Sequence, residues 1–337
     1  MKAQAVHAQE TGGPTDWHLA ITEELESVEK LLREMAGSEV QAVLEISKHL
    51  LSAGGKRLRP ALVILSSQAV LGTVPRQRLS SIATTMELIH MASLMHDDVI
   101  DLSDSRRGRV TANAFWGNKV SVLSGDCMLA KAFSLLAGDA DGPVMRVISD
   151  MTIRMSESEV LQALCERDVE RWRIHYWHII RDKTAGFLSA CCRCGAMLAG
   201  ASPAVERALA DYGIHLGMAF QLTDDLLDIV GDPATTGKPV GSDLREGKVT
   251  LPVLLALDRM PEAERASTCT MIETDELSPE EIETLCEEVR ATGALDTARD
   301  HASAYAERAV AALAKLPPSP ARGSLASLAS QLIYRVS

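Results

Sequence analysis

Apolar residues recur at spacings of three and four over most of this chain, the period of a helix with one buried face. Ile21, Leu25, Val28, Leu31 and Leu32 form such a stripe within a helical stretch from Trp17 to Leu71, which the Gly54-Gly55 pair breaks into two helices. Leu79 to Leu102 is equally periodic, and further helices are predicted over 117–139, 141–167, 170–199, 203–231, 249–258, 278–292, 294–315 and 319–335. One start is spelled out by side chains. Ser278 suits a helix cap, Pro279 the first turn, and Glu281 stands three residues on to close a capping box. Segments rich in Val, Ile, Thr and Tyr, which would mark strands, are short and scattered. With no linker rich in Pro, Gly or Ser and no fixed repeat, the pattern predicts one all-α domain over 17–337. A polar tail, Met1 to Asp16, precedes it and is expected to be disordered.

Composition supports helix, since aromatic residues are only 4% while Ala, Leu, Glu, Arg and Met recur throughout, and 46% hydrophobic residues suffice for a large core. A formal net charge of −12 argues against a nucleic-acid partner, which would need Lys and Arg clustered on one face. The tail has no apolar centre to serve as a signal peptide, so a cytoplasmic location is expected. No run approaches 18 uninterrupted apolar residues, so no transmembrane helix is expected. The seven cysteines read as reduced thiols packed as small hydrophobes. For the cluster Cys191, Cys192 and Cys194 a zinc site lacks further ligands, because the nearest histidines, His175 and His178, lie beyond Lys183-Thr184.

Two acidic clusters change the picture. In His96-Asp97-Asp98-Val99-Ile100-Asp101, helical geometry brings His90, Asp97 and Asp101 within roughly 40° of one another. In Gln221 to Asp228, the residues Gln221, Asp224, Asp225 and Asp228 share an arc of about 100°. One such row reads as readily as a solvated face or a cap. Two rows, each set among apolar neighbours, place like charges at the edge of a core, which is costly unless a cation neutralises them. Oxygen-only ligands suit Mg²⁺ completed by waters and substrate phosphates.

Basic groups suited to an anion are present too. Gly54-Gly55-Lys56-Arg57-Leu58-Arg59-Pro60 sets three cations beside a flexible pair at a helix start. Arg106-Arg107-Gly108 follows the first acidic row, Lys183-Thr184 interrupts an apolar helix, and Lys238 and Lys248 flank the loop after the second row. Each alone reads equally as a surface cation; together with two Mg²⁺ faces they indicate phosphate chemistry. No Gly-x-x-x-x-Gly-Lys-Ser/Thr loop is present, which disfavours a P-loop nucleotide enzyme.

In this order the segments Gly54 to Pro60, His90 to Asp101, Arg106-Arg107-Gly108, Lys183-Thr184, Gln221 to Asp228 and Gly237 to Asp243 resemble the signatures of the trans-prenyl diphosphate synthase family, medium- to long-chain branch. The resemblance implies an all-α, single-domain antiparallel helix bundle around a deep central cavity, the isoprenoid synthase fold, usually homodimeric. It implies that Asp97, Asp101 and Asp224, helped by Asp98, Asp225 and Asp228, hold three Mg²⁺ ions on an allylic diphosphate. Arg106, Lys183, Thr184, Gln221, Lys238 and Lys248 would surround that diphosphate, while Lys56, Arg59, His90 and Arg107 would grip isopentenyl diphosphate.

Ionisation of the allylic C–O bond and attack by the isopentenyl double bond would then lengthen the chain by five carbons. In this family product length follows how soon bulky side chains block the cavity below the first row. Here Ala92 and Ser93 are small, which implies a product of roughly C30 to C50 grown on farnesyl or geranylgeranyl diphosphate. Cys127 and Ser158 depart from the family's usual aromatic and Gly; neither is among the metal ligands, and they bear on cavity shape and exact product length. Other readings are a C20 synthase, a terpene cyclase, which needs no Lys56, Arg59 and His90, and a regulatory subunit, which needs no second acidic row. Contact with a membrane through the apolar product is expected to be transient, without stable insertion.

Overall fold

A computed structural model describes residues 16–52, 54–106, 108–231, 240–274 and 277–333. The first helices are α1 (Asp16–Ala20), α2 (Thr22–Met35), α3 (Gln41–Ser52), α4 (Leu58–Ala69) and α5 (Arg76–Ile100). After a short antiparallel hairpin, β1 (Ser105–Arg106) with β2 (Arg109–Val110), come α6 (Ala112–Trp116), α7 (Asn118–Asp139), α8 (Gly142–Cys165) and α9 (Val169–Ile180). A π-helical turn, Arg181–Ala185, leads directly into α10 (Gly186–Leu198). Then follow α11 (Pro203–Val230), α12 (Ser242–Arg245), α13 (Leu251–Arg259), α14 (Glu262–Glu273), α15 (Pro279–Ala291), α16 (Ala294–Ala312) and α17 (Pro320–Ile333).

The expected helical architecture is present, with physical corrections. The stretch from Trp17 to Leu71 holds four helices rather than two, because the chain also breaks at Ile21 and over 36–40. The segment 170–199 is divided by the π-turn at Lys183-Thr184. Helix α14 is an addition to the predicted elements: it buries only Thr268 and Ile272 and so shows no apolar stripe along the chain. At α15 the capping box is complete: the Glu281 N–H donates to Ser278 Oγ at 3.2 Å and the Ser278 N–H to Glu281 Oε2 at 2.8 Å. Of the expected tail, Asp16 opens α1 and the rest lies outside the described residues.

Apolar burial falls into two connected cores. One gathers α1 to α5, α7, α8, α10 and α17; the other gathers α9, α12, α13, α15 and the first half of α16. Helix α11 runs through both, giving Leu209, Tyr212 and Leu216 to the first and Leu222, Leu226 and Ile229 to the second. It packs against α10 and α16 along its length. Its acidic row lies in the half that serves the second core, whereas α5, with the other row, belongs to the first. The site is therefore built where the two cores meet.

Among the described residues one helix, α7, is long and apolar enough to cross a membrane by length and composition alone, a test that the core helix of a globular protein also passes; isolated polar residues interrupt it, and 33% of its most apolar stretch is buried. Ser121, Ser124, Gly125, Met128, Ala132 and Leu136 form its buried face, against α5.

Candidate active site

The first acidic row ends α5. Neighbours on a helix point about 100° apart, so Asp97 and Asp98 cannot face the same way. Asp98 is buried and its Oδ1 accepts from Arg106 Nε at 2.7 Å, drawing β1 onto the end of α5. Asp101 caps the helix and accepts from Lys248 Nζ at 3.1 Å, and Lys248 also donates to Glu246 at 2.6 Å. Lys183 Nζ donates to Glu159 at 2.7 Å and to Gln162 Oε1 at 3.2 Å, both on α8.

Negative charge is crowded here. Burial pushes the Asp97 carboxyl above the usual range, Lys183 opposes this and Asp101 adds to it. Glu159 is raised by burial and by Asp97 against the pull of Lys183, and Asp98 by burial against that of Arg106. Lys248 is also raised, which for a lysine favours the charged form: burial opposes this, but Glu246, Asp101 and Asp243 more than offset it and hold Lys248 above an ordinary lysine.

In the second row Asp224 is exposed and Asp225 fully buried. Asp225 Oδ2 accepts from the Tyr176 hydroxyl at 2.5 Å and Oδ1 from Gln221 Nε2 at 2.9 Å, while Gln221 Oε1 accepts from Thr184 Oγ1 at 2.9 Å. Asp228 accepts from the backbone N–H groups of Ser242 and Asp243 at 3.0 and 3.1 Å, fixing the first turn of α12. Gly217 lets α11 lie directly on the π-turn. A Cβ there would meet Ala185 Cα at 2.4 Å.

Among the basic residues, Lys56 is exposed in a loop with positive φ at Gly54 (68°), Gly55 (150°) and Arg57 (48°). Arg57 turns inward to Glu29 of α2 at 2.5 Å and Glu87 of α5 at 3.0 Å. The Arg59 guanidinium lies 4.7 Å from the centre of the Phe187 ring, and His90 meets the same ring edge-on at 6.3 Å. The hairpin is tied to α3 by His49 Nε2 with the Val110 carbonyl at 2.8 Å and by Arg109 to Ser52 at 2.8 Å. Below Asp97, Ala92 is buried and Ser93 half-buried, its hydroxyl donating to the His90 carbonyl at 2.9 Å. Arg107, Lys238 and the segment Gly237 to Pro239 lie outside the described residues.

The structure thus brings Asp97, Asp98, Asp101, Arg106, Lys183 and Lys248 into one electrostatic group, and Thr184, Gln221 and Asp225 into one hydrogen-bonded group. Sequence reasoning missed Arg57, Glu159, Gln162, Tyr176 and Phe187 in these networks. Tyr176 and Phe187 stand on apolar stripes, where a ring reads as core. Among the described residues no three acidic, His or Cys side chains converge as a ready metal cage. An oxygen donor set with few ligands per ion suits Mg²⁺, which relies on waters and phosphate oxygens to complete its shell.

The chain matches the Polyprenyl synthetase family over residues 40–289. It is 38% identical over 313 residues to octaprenyl diphosphate synthase of Escherichia coli (strain K12), covering 93% of this chain and 96% of that one. It is 35% identical over 316 residues to the geranyl-diphosphate-specific all-trans-nonaprenyl-diphosphate synthase of Rhodobacter capsulatus, covering 94% and 96%. Among solved structures, a decaprenyl diphosphate synthase from Rhodobacter capsulatus superposes with a TM-score of 0.90 at 39% identity, covering 96% of this chain and 100% of that one. A polyprenyl synthase from Caulobacter crescentus CB15, complexed with calcium and isoprenyl diphosphate, gives 0.91 at 35% identity, covering 98% and 100%.

Proposed function

The chain belongs to the polyprenyl synthetase family and is a prenyltransferase of its medium- to long-chain branch, and on that premise we propose that it joins isopentenyl diphosphate to farnesyl or geranylgeranyl diphosphate with Mg²⁺. Its product is a trans-polyprenyl diphosphate of about C30 to C50. The observation that supports the site assignment is the bond from Lys248, in the segment after the second acidic row, to Asp101 of the first, which draws that segment onto the end of α5.

Asp97, Asp101 and Asp224 would hold the metal, with the other aspartates of the two rows supporting them. When bound, Mg²⁺ supplies the Lewis acidity that stabilises negative charge on the departing diphosphate. Lys183 and Lys248 turn from Glu159 and Asp101 to phosphate oxygens, with Arg106, Thr184, Gln221 and Lys238 around the same group. Lys56, Arg59, His90 and Arg107 orient isopentenyl diphosphate. The allylic C–O bond breaks with its electron pair leaving on the diphosphate, and the isopentenyl π-electrons form the new C–C bond. A proton from the adjacent carbon passes to the released diphosphate. No protein nucleophile is consumed, and the apolar walls keep water from the cation.

Small side chains at Ala92 and Ser93 support the long product. The chain acts as one domain and as a homodimer. Leu123 on α7 and a stripe of Ile153, Val160 and Leu164 on α8 are exposed apolar residues suited to a second copy. A heteromeric reading has one observation in its favour, 34% identity over 312 residues to heptaprenyl diphosphate synthase component 2 of Bacillus subtilis (strain 168).

The purified chain alone, given Mg²⁺, isopentenyl diphosphate and farnesyl diphosphate, is expected to elongate, and the dephosphorylated lipid reports product size. No elongation would sink catalysis by this chain alone, and a C20 end product would sink the long-chain reading. Asp97→Ala and Asp224→Ala should each lose turnover by orders of magnitude; activity retained in either refutes the metal assignment.

A further inference from the structure

Asp224 and Asp225 are adjacent on α11 and so point about 100° apart. Asp224 is exposed, whereas Asp225 is 2% exposed and has both carboxylate oxygens occupied, Oδ2 by the Tyr176 hydroxyl at 2.5 Å and Oδ1 by Gln221 Nε2 at 2.9 Å. The Gln221 amide lies with its NH₂ on Asp225 Oδ1 and its Oε1 on the Thr184 hydroxyl at 2.9 Å, the orientation in which an ionised Asp225 accepts from both neighbours. Tyr176 is itself 1% exposed and packed in the second core, so its hydroxyl has a fixed position. One chain of hydrogen bonds thus runs from α9 through α11 to the π-turn, Tyr176 to Asp225, Gln221 to Asp225, Thr184 to Gln221. The contact of Gly217 with Ala185, next to Thr184, holds the π-turn close enough to α11 for the last bond to form.

We infer that Asp225 is a positioning residue rather than a metal ligand, and that with Tyr176 it sets the direction in which Gln221 and Thr184 present polar groups to the allylic diphosphate. This rests on the proposed assignment of that diphosphate to the second acidic row. Reaching a metal would require Asp225 to abandon two donors in a buried setting, while Asp224, one residue before it, already faces outward. An amide at position 225 keeps the size but has one acceptor oxygen where the carboxylate has two, so it cannot accept from both neighbours: either Gln221 turns over and Thr184 loses its acceptor, or the Tyr176 hydroxyl must accept instead of donate, and in both cases the chain is rearranged.

The test is steady-state kinetics on the full chain with Tyr176→Phe, Asp225→Asn, their double variant, and Asp224→Asn as the reference for metal binding. Asp224→Asn is expected to raise the Mg²⁺ concentration for half-maximal rate at least tenfold. Asp225→Asn and Tyr176→Phe should leave that concentration within twofold, lower kcat/KM for the allylic substrate tenfold or more, and leave KM for isopentenyl diphosphate unchanged. The double variant should be no worse than Asp225→Asn alone within threefold, since both changes break one chain. A shift in Mg²⁺ dependence for Asp225→Asn matching that of Asp224→Asn overturns the inference. So does an unchanged allylic kcat/KM in Tyr176→Phe, full multiplication of the two effects in the double variant, or an equal rise in KM for both substrates, which marks general loosening. If Asp224→Asn leaves the Mg²⁺ dependence unmoved, the reading of the second row fails first and this inference falls with it.

Discussion

Replacing Arg57 with Ala is expected to destabilise the protein and to weaken isopentenyl diphosphate selectively. Arg57 ties the start of α4 to α2 and α5 through Glu29 at 2.5 Å and Glu87 at 3.0 Å, and the Glu87 side chain is only 6% exposed. Removing the guanidinium leaves Glu87 buried without its cation, a loss of about 3–5 kcal/mol, while Glu29, at 30% exposure, rehydrates and adds little. The backbone at position 57 is left-handed (φ 48°), which disfavours any residue with a Cβ by roughly 1–2 kcal/mol. Arg57→Gly should therefore be the milder variant by about that amount. An unfolding entropy near 2.1 cal/mol/K per residue gives roughly 0.7 kcal/mol per kelvin for 337 residues, so Arg57→Ala should lower Tm by about 4–7 °C. Lys56 and Arg59 flank the clamp, so KM for isopentenyl diphosphate should rise severalfold while KM for the allylic substrate stays near its original value. Differential scanning fluorimetry and two-substrate kinetics on both variants check this. A Tm change under 2 °C in Arg57→Ala, a Gly variant no better than the Ala variant, or an equal rise in both KM values would refute the clamp.

Ser93→Phe and Ala92→Phe should each shorten the product toward C20 with the rate of the first condensation kept, read by sizing the dephosphorylated lipids; an unchanged length removes these positions from the cavity wall. Gly217→Ala forces a Cβ to within 2.4 Å of Ala185 Cα, so it should cost about 1–3 kcal/mol and lower allylic kcat/KM, whereas Gly138→Ala, with nothing within 4 Å, should be neutral in both. Equal behaviour of the two would show that α11 and the π-turn do not need their close approach. Burial pushes the Cys192 thiol up to about 12, and Cys191 and Cys194 are likewise buried and raised, so alkylation at pH 8 followed by mass spectrometry should label Cys127 and Cys269, which are half-buried, ahead of the other five. Rapid native-state labelling of Cys191, Cys192 or Cys194 would contradict their role as core packing.

What could be read along the chain was whatever a single helix decides for itself. Apolar stripes marked the long helices, and i, i+3, i+4 spacing put carboxylates on faces; α14 escaped because its packing does not depend on a stripe. What could not be read depends on partners distant in sequence. Arg57 looks like the middle of three equivalent cations until Glu29 and Glu87, 28 and 30 residues away, claim it. Tyr176 looks like core until its hydroxyl meets Asp225, 49 residues on. The same limit explains the paired aspartates. Two carboxylates side by side on a helix differ in direction by about 100°, so when one faces a cavity the other faces protein or solvent. Asp98 meets Arg106 and Asp225 meets Tyr176 and Gln221, while Asp224 lies exposed. In both rows the second aspartate is thus engaged by the protein itself. On the proposed assignment, each pair of adjacent aspartates in this chain is a ligand beside an anchor rather than two ligands, and the anchor is the member whose replacement should alter substrate geometry without altering metal demand.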